Sequence, residues 1–206
     1  MPFPTISRSF PLILASMSPR RKQLLEQIGL PFDILPSDIN ENNVKGVPFE
    51  IARRLAEKKA LRVCSQSSDR WILGADTIVV LDDILLGKPG DTQEAKEMLN
   101  LLSDREHEVI TGLSIINPAG EIAETRHDRT IVRVKKLYHE EIDAYIKTGE
   151  PFGKAGGYGI QGIGSFMIKG INGSYSNVVG LPLYTLIESL AGVKAIDRYP
   201  MNFNEF

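Results

Sequence analysis

The chain holds one cysteine, Cys64, in 206 residues. That excludes an intramolecular disulfide and a cysteine-built metal cluster, and it points to a reducing compartment, the cytoplasm. The three histidines, His107, His127 and His139, are scattered without metal-ligand spacing, so no histidine-built metal centre is expected. A surplus of one charge is lacking too. Formal net charge is -2, so no bulk basic field invites a nucleic-acid polymer, and any polyanion site must be a local patch. No run reaches the ~20 apolar residues of a membrane span, so no membrane partner is expected. Residues 1–11 lack the apolar core of a signal peptide. Nucleophile elbow, Walker loop and His-Glu-x-x-His are missing, as are repeats, low-complexity tracts and interdomain linkers. What remains is 42% hydrophobic and 24% charged, ordinary for a globular protein and long enough to bury one real core.

Within that plain background, Leu12-Ile13-Leu14-Ala15-Ser16-Met17-Ser18-Pro19-Arg20-Arg21 is the most informative stretch. It reads as a buried strand running into a helix, with Ser18 as N-cap and Pro19 at the first helical position. Arg20 and Arg21 then fall where the macrodipole already places positive charge. Two guanidinium groups, free backbone N–H groups and a helix N-terminus at one point make an anion trap. The alternative is that the arginines are simply solvated.

The pattern continues with a helix from Pro19 to Ile28 closed by Gly29, a strand from Phe32 to Leu35, and a polar loop, Ser37 to Asn42. A long helix follows from Pro48 to Cys64. Trp71 to Leu81 is the strongest strand signal, and Asp82-Asp83 reads as a hairpin turn before Ile84-Leu85-Leu86. A helix from Thr92, read as its cap, to Leu102 precedes two β-branched strands, Glu108 to Asn117 and Ile122 to Val134. The rest reads as a helix from His139 to Thr148, a glycine-rich stretch from Gly153 to Gly164, a strand from Phe166 to Ile171, a final helix from Pro182 to Ala191 closed by Gly192, and a loose tail. Mixed helices and strands give an α/β or α+β class.

Several residues carry candidate chemistry. Asp76 sits inside the strongest strand, and ionised residues are rarely buried unless paired. It reads as a metal ligand or general base at a strand end facing a cleft; the alternative is a turn or a bond to neighbouring backbone. Glu41 in the polar loop, paired with Asp76, suits a magnesium-type ion that wants hard oxygens, with Asp38 as competitor. Lys88, between glycine and proline in Leu86-Gly87-Lys88-Pro89-Gly90, suits a phosphate contact, or is a solvated loop lysine. Lys59 lies on a charged helix, where a solvated face is the default. Gly157-Tyr158-Gly159-Ile160-Gln161-Gly162 matches G-x-G-x-x-G, but no strand precedes it and no acidic residue stands ~20 positions on, so dinucleotide binding is rejected. Gln161 there offers a donor and an acceptor that suit a nucleobase edge.

Five motifs now stand in order: Ala-Ser-Met-Ser-Pro-Arg-Arg (15–21), Gly-Ala-Asp-Thr (74–77), Leu-Gly-Lys-Pro (86–89), Tyr-Gly-Ile-Gln-Gly (158–162) and Val-Gly-Leu-Pro-Leu (179–183). Together they strongly resemble the Maf family of nucleoside triphosphate pyrophosphatases, once linked to septum formation. The resemblance implies an α/β fold: an elongated mixed β-sheet with flanking helices and two lobes around a cleft, related to the inosine triphosphate pyrophosphatases. It implies an extension at residues 1–11, one catalytic domain at 12–192 and a tail at 193–206. Tyr-Gly-Ile-Gln-Gly resembles the dTTP/UTP branch, so the implied reaction is hydrolysis of dTTP and UTP, or a modified pyrimidine nucleotide, to monophosphate and pyrophosphate.

By motif position Asp76 is the implied general base. Ser16, Arg20, Arg21, Lys59 and Lys88 are the implied substrate contacts, Glu41 and Asp76 the implied ligands of a divalent cation (Mg²⁺, Mn²⁺ or Co²⁺), and Arg20, Thr77 and Gln161 the residues setting base choice. A homodimer is implied by resemblance only. Two residues depart from the family pattern: Met17 stands where a small or polar residue is commoner, which implies a tighter first loop, and Asn40 where an acidic residue often precedes the glutamate, which implies one weaker metal contact. An ordinary carboxylate titrates near ~4, so an aspartate is a weak base and needs metal assistance to the water. The competing class is a nucleotide-binding regulator of cell division without required catalysis; retention of both Asp76 and Glu41 favours the enzyme.

Overall fold

The computed structural model describes residues 3–41, 44–66, 69–197 and 199–200. Residues 1–2 of the expected extension, Asn42 of the expected polar loop, and residues 198 and 201–206 of the expected tail lie outside them. The described elements are β1 (Leu12–Leu14), α1 (Pro19–Gln27), β2 (Phe32–Ile34), α2 (Pro48–Cys64), β3 (Ile72–Leu81), β4 (Ile84–Leu86), α3 (Thr92–Leu102), β5 (Glu106–Ile116), β6 (Ile122–Val134), α4 (His139–Lys147), β7 (Ile168–Asn172), α5 (Tyr175–Val179) and α6 (Leu183–Gly192). The strands form one mixed sheet of seven, in the order β2-β1-β3-β5-β6-β7, with β4 also pairing with β3. The expected α/β class is met. The chain divides into two compact units: Met1–Asp76 with Thr111–Asp128 and Gly180–Phe206, and Thr77–Ile110 with Arg129–Val179.

The first unit is built on parallel pairing. Leu12 faces Phe32 across β1 and β2, and Ile13 faces Ile72 across β1 and β3. β1 is buried throughout, so it reads as a continuous apolar run and not an alternating one. α2 lays Ala52, Ala56, Ala60 and Val63 against the sheet at i, i+4, i+8, i+11 spacing. The small residues let the helix come very close. A Cβ built on Gly74 of β3 would lie 2.2 Å from the Ala56 carbonyl oxygen, and one on Gly112 of β5 would lie 2.4 Å from that of Ala52. Glycine is therefore required at both positions by close approach, not by φ. Residues 3–11 pack onto this unit: Ile6 is buried and its N–H donates to Ala195 O at 2.7 Å, while the Trp71 indole donates to Pro4 O at 2.8 Å. The core likewise continues past 192, because Ala195 and Ile196 are buried.

The second unit centres on Val79, Leu86, Leu99, Val132, Tyr145 and Met167. The β3–β4 hairpin closes with Leu81 opposite Ile84. Asp82 and Asp83 both have positive φ, 47° and 66°, the left-handed pair that matches strand twist in a two-residue turn. Three local expectations need correction. The cap of α3 is Asp91, whose carboxylate accepts the Glu94 N–H at 2.9 Å, so Thr92 is the first helical residue. Gly192 lies inside α6, and Lys194, with φ 59°, makes the left-handed turn that closes it. The last strand starts at Ile168, because Ile163–Met167 is a short 3₁₀ turn.

His107 of β5 is buried in this unit, with Nε2 2.7 Å from the Tyr158 hydroxyl. Burial pushes its imidazole down from 6.5 to about 4. The unfolded chain then binds a proton below 6.5 that the folded chain refuses until about 4. Stability contributed by neutral His107 is present above that window and is lost as pH falls through it, by about 3 kcal/mol in all. Urea midpoints at pH 7 and pH 4.5 should show the loss in the wild type, and His107→Phe should flatten this part of the slope whatever it does to absolute stability. An unchanged slope in the variant would contradict the assignment.

Candidate active site

Strand and helix periodicity bring two opposite charges together in the first unit. Gly74 and Asp76 share a face of β3 by alternation, and Gly74 meets α2 at Ala56 and Ala60. Lys59 lies on that same helix face, between them in sequence. Its ammonium is consequently buried, and it bonds Asp76 Oδ1 at 2.6 Å. The same Nζ stands 2.6 Å from Glu41 Oε1. Glu41 approaches from the loop after β2, a loop tied to the end of β1 by the Ser37 hydroxyl, which donates to Ala15 O at 3.0 Å. Lys59 and Asp76 side chains are 9% and 8% exposed, against 42% for Glu41, so the inner pair is sheltered and the outer carboxylate stays open to ligand. The solvated-face default for Lys59 is thus overturned: a buried ammonium is tolerated because two carboxylates compensate its lost hydration. Of the two loop acids, Glu41 reaches this point and Asp38 is exposed. Asp76 itself stands in the middle of β3 and not at a strand end.

The strand-to-helix turn is built as its sequence suggests. Ser18 caps α1, and Pro19 is the first helical residue. The Ser16 hydroxyl accepts the Ser18 N–H at 3.2 Å and Arg21 Nη1 at 3.0 Å. With both acceptor positions used, its proton is what it has left to offer a ligand. Arg21 is buried, and its Nε donates to Gly180 O at 2.8 Å. Burial pulls its guanidinium below its ordinary range; the Asp76 and Glu41 carboxylates oppose that, while the Arg20 charge adds to it. Burial likewise lowers Arg20, which is half-buried. Even lowered, arginines stay protonated near neutrality. Met17 projects into solvent, 71% exposed, so its bulk does not tighten the turn.

Ser16, Arg20, Arg21, Glu41, Lys59 and Asp76 therefore belong to one unit, and Arg21 feels the charges of both carboxylates. Thr77, Lys88 and Gln161 belong to the other. Thr77 is half-buried on β3, and Lys88 and Gln161 are exposed. The loop carrying Lys88 is joined to the glycine-rich segment by the Gly156 N–H, which donates to Gly87 O at 2.9 Å.

Among the described residues no three histidine, cysteine or acidic side chains group as a metal cage. Glu41 and Asp76 nonetheless converge on one cation, the Lys59 ammonium. A magnesium-type ion needs only one or two carboxylates, with water and substrate phosphate supplying the rest. The donor pair fits such an ion.

Among solved structures, the chain is similar to a nucleoside-triphosphatase / dITP/XTP pyrophosphatase from Mycobacterium abscessus, with TM-score 0.41 and 16% identity over 62% of this chain and 76% of that one. A HAM1 protein from Coxiella burnetii gives the same score and identity, covering 62% of this chain and 74% of its own. Sequence relatives are far nearer. A dTTP/UTP pyrophosphatase from Ruminiclostridium cellulolyticum is 52% identical over 85% of this chain and 92% of its own length. Its namesake from Halalkalibacterium halodurans is 49% identical over 87% and 94%. The pattern of the Maf-like protein family matches residues 11–193. The five ordered motifs, the family pattern and the two sequence relatives agree, and the chain belongs to the Maf family.

Proposed function

We propose that this protein is a nucleoside triphosphate pyrophosphatase that hydrolyses dTTP and UTP to the nucleoside monophosphate and pyrophosphate. The observation that carries the chemistry is the Glu41–Lys59–Asp76 triad of charges beside the Ser16–Arg21 turn. The relatives' name supports the pyrimidine substrate.

In this reading Ser16, Arg20 and Arg21 bind the triphosphate at the N-terminus of α1. Arg21 needs little reorganisation to do so, because Ser16 and Gly180 already fix it. Lys59 holds Asp76 by Oδ1, which leaves Oδ2 to take the proton of the attacking water. The water oxygen bonds to the α-phosphorus, the bond from that phosphorus to the bridging oxygen breaks, and pyrophosphate leaves with its charge balanced by the arginines. Lys88 is assigned to the triphosphate, and Arg20, Thr77 and Gln161 to base choice, on motif position. Glu41 and Asp76 would hold the divalent cation, Mg²⁺, Mn²⁺ or Co²⁺. When bound, such an ion acidifies water and offsets phosphate charge. No helix among the described residues is long and apolar enough to cross a membrane. A cytoplasmic enzyme is supported by the lone Cys64, and a homodimer rests on the resemblance.

The test is product analysis on a nucleotide panel with each of the three metals and with EDTA. Pyrophosphate and monophosphate in equal amounts, fastest from dTTP and UTP and lost with EDTA, are expected. Orthophosphate as product, or a purine nucleotide as the best substrate, would refute the assignment.

A further inference from the structure

The backbone turn that carries Gln161 is held on both sides by a single carboxylate and one phenol. Glu150 lies just past α4, after Gly149 turns the chain with φ 76°. Its Oε2 accepts the Ile163 N–H at 2.7 Å, and its Oε1 accepts the Gly164 N–H at 3.0 Å. Oε1 also accepts from the Tyr145 hydroxyl at 2.9 Å, and that hydroxyl accepts the Gly159 N–H at 3.3 Å. Residues 159 and 163–164 are thus gripped by one Tyr145–Glu150 unit, with Gln161 at the middle of the span.

Sterics seal the arrangement. A Cβ on Gly162 would lie 2.3 Å from Glu150 Oε2, and one on Gly164 would lie 2.7 Å from the Tyr145 hydroxyl. Gly162, the last glycine of the stretch that formally mimics a dinucleotide motif, leaves the room in which this carboxylate approaches the backbone. Tyr145 cannot drift, because it is 2% exposed. Burial alone would raise the Glu150 carboxyl, but the Gly164 and Ile163 N–H groups, the Tyr145 hydroxyl and the Lys154 charge outweigh that and leave it below its ordinary range. The folded turn therefore holds Glu150 as a carboxylate near neutrality. Closing an exposed turn does not require an ion. Fixing the direction of a carboxamide does require a stiff frame, since Gln161 presents its donor and acceptor correctly in only one orientation.

We propose that Glu150, acting with Tyr145, is a positioning residue for base choice: it fixes the backbone from which Gln161 meets the nucleobase. The proposal rests on the reading of Gln161 as a base contact.

The test compares wild type, Glu150→Gln, Tyr145→Phe and Gln161→Ala. It uses kcat and KM on dTTP, UTP and CTP, and amide hydrogen exchange of the free protein. Glu150→Gln keeps the shape but sets an NH₂ against a backbone N–H. It should raise KM for dTTP about tenfold with kcat within about threefold, and cut the dTTP-over-CTP preference as far as Gln161→Ala does. Adding Gln161→Ala should then cost no further preference, because the two act as one unit. The 163 and 164 amides should exchange at least about tenfold faster. Tyr145→Phe, which keeps the carboxylate, should show the same changes in smaller measure. If Gln161→Ala shifts the preference and Glu150→Gln does not, the positioning role is overturned while the base-contact reading stands. If exchange rises but Gln161→Ala leaves the preference unchanged, the base-contact reading is what fails, and the role in base choice falls with it. A uniform fall in kcat on every nucleotide, with preference intact, also overturns the proposal.

Discussion

Asp76→Asn lowers dTTP turnover by about 10²–10⁴-fold, the usual cost of losing a positioned proton acceptor, while the protein stays folded and still binds nucleotide. The substitution is nearly isosteric. The new carboxamide oxygen can still accept from Lys59 Nζ, which stands 2.6 Å from Asp76 Oδ1, and Glu41 stays on the same ammonium at 2.6 Å. The ammonium keeps one anionic partner, so the structural penalty is smaller than for Asp76→Ala, which removes the acceptor altogether. Ser16 and Arg21, which the proposed reaction assigns to the phosphates, bond Gly180, Ser18 and each other, and none of those bonds passes through Asp76. Affinity for a non-hydrolysable α,β-imido analogue of dTTP is therefore expected within about tenfold of wild type, measured by calorimetry beside steady-state rates. Near-normal turnover in the variant would remove Asp76 from the proton-accepting role.

Gly74→Ala is the second large effect, and it couples stability to activity. The added methyl would meet the Ala56 carbonyl oxygen at 2.2 Å, the Ala60 nitrogen at 2.8 Å and the Ala60 Cβ at 2.9 Å. Two of these are helix backbone, which cannot swing aside as a side chain does. Relief requires α2 to lift off β3, and overpacking of this kind costs about 1–3 kcal/mol or more. A domain is stable by only about 5–15 kcal/mol, so a large drop in melting temperature is expected. α2 also carries Lys59. Lifting it stretches the bond to Asp76, so kcat should fall even at temperatures where the variant is folded. Gly170→Ala is the control: nothing lies within 4 Å of a Cβ there, and both stability and rate should stay near wild type. Thermal melts and rates on the two variants check the pair; equal behaviour would contradict the close-approach argument.

The strand, cap and helix at Leu12–Gln27 were legible because apolar run, serine and proline each carry a local backbone preference. The Asp82-Asp83 hairpin was legible for the same reason. Lys59 was not. Read along α2 it is one charge among many, and only the 52–56–60–63 spacing places it on the buried face. Joining that spacing to the alternation of Gly74 and Asp76 on β3 would have predicted the ion pair. Asp91 and Thr92 are both acceptable caps by type, and the extended φ of -148° at Asp91 decides between them. Glu150 gave no local signal at all, because the backbone N–H groups it holds stand 13 and 14 residues ahead and contacts of that separation are set by packing. Ser16, Arg20, Arg21, Glu41, Lys59 and Asp76 gather in one unit by geometry, whereas Thr77, Lys88 and Gln161 enter the functional account through the motifs they belong to.

In the proposed reaction Asp76 aims a water at the α-phosphorus of a pyrimidine nucleoside triphosphate. Hydrolysis of dTTP in ¹⁸O-enriched water tests it most directly, with the label located by mass spectrometry. One ¹⁸O in dTMP and none in pyrophosphate is the predicted result, with incorporation lost in Asp76→Asn. Label in the pyrophosphate, or release of labelled orthophosphate, would place the attack on a different phosphorus and contradict the account.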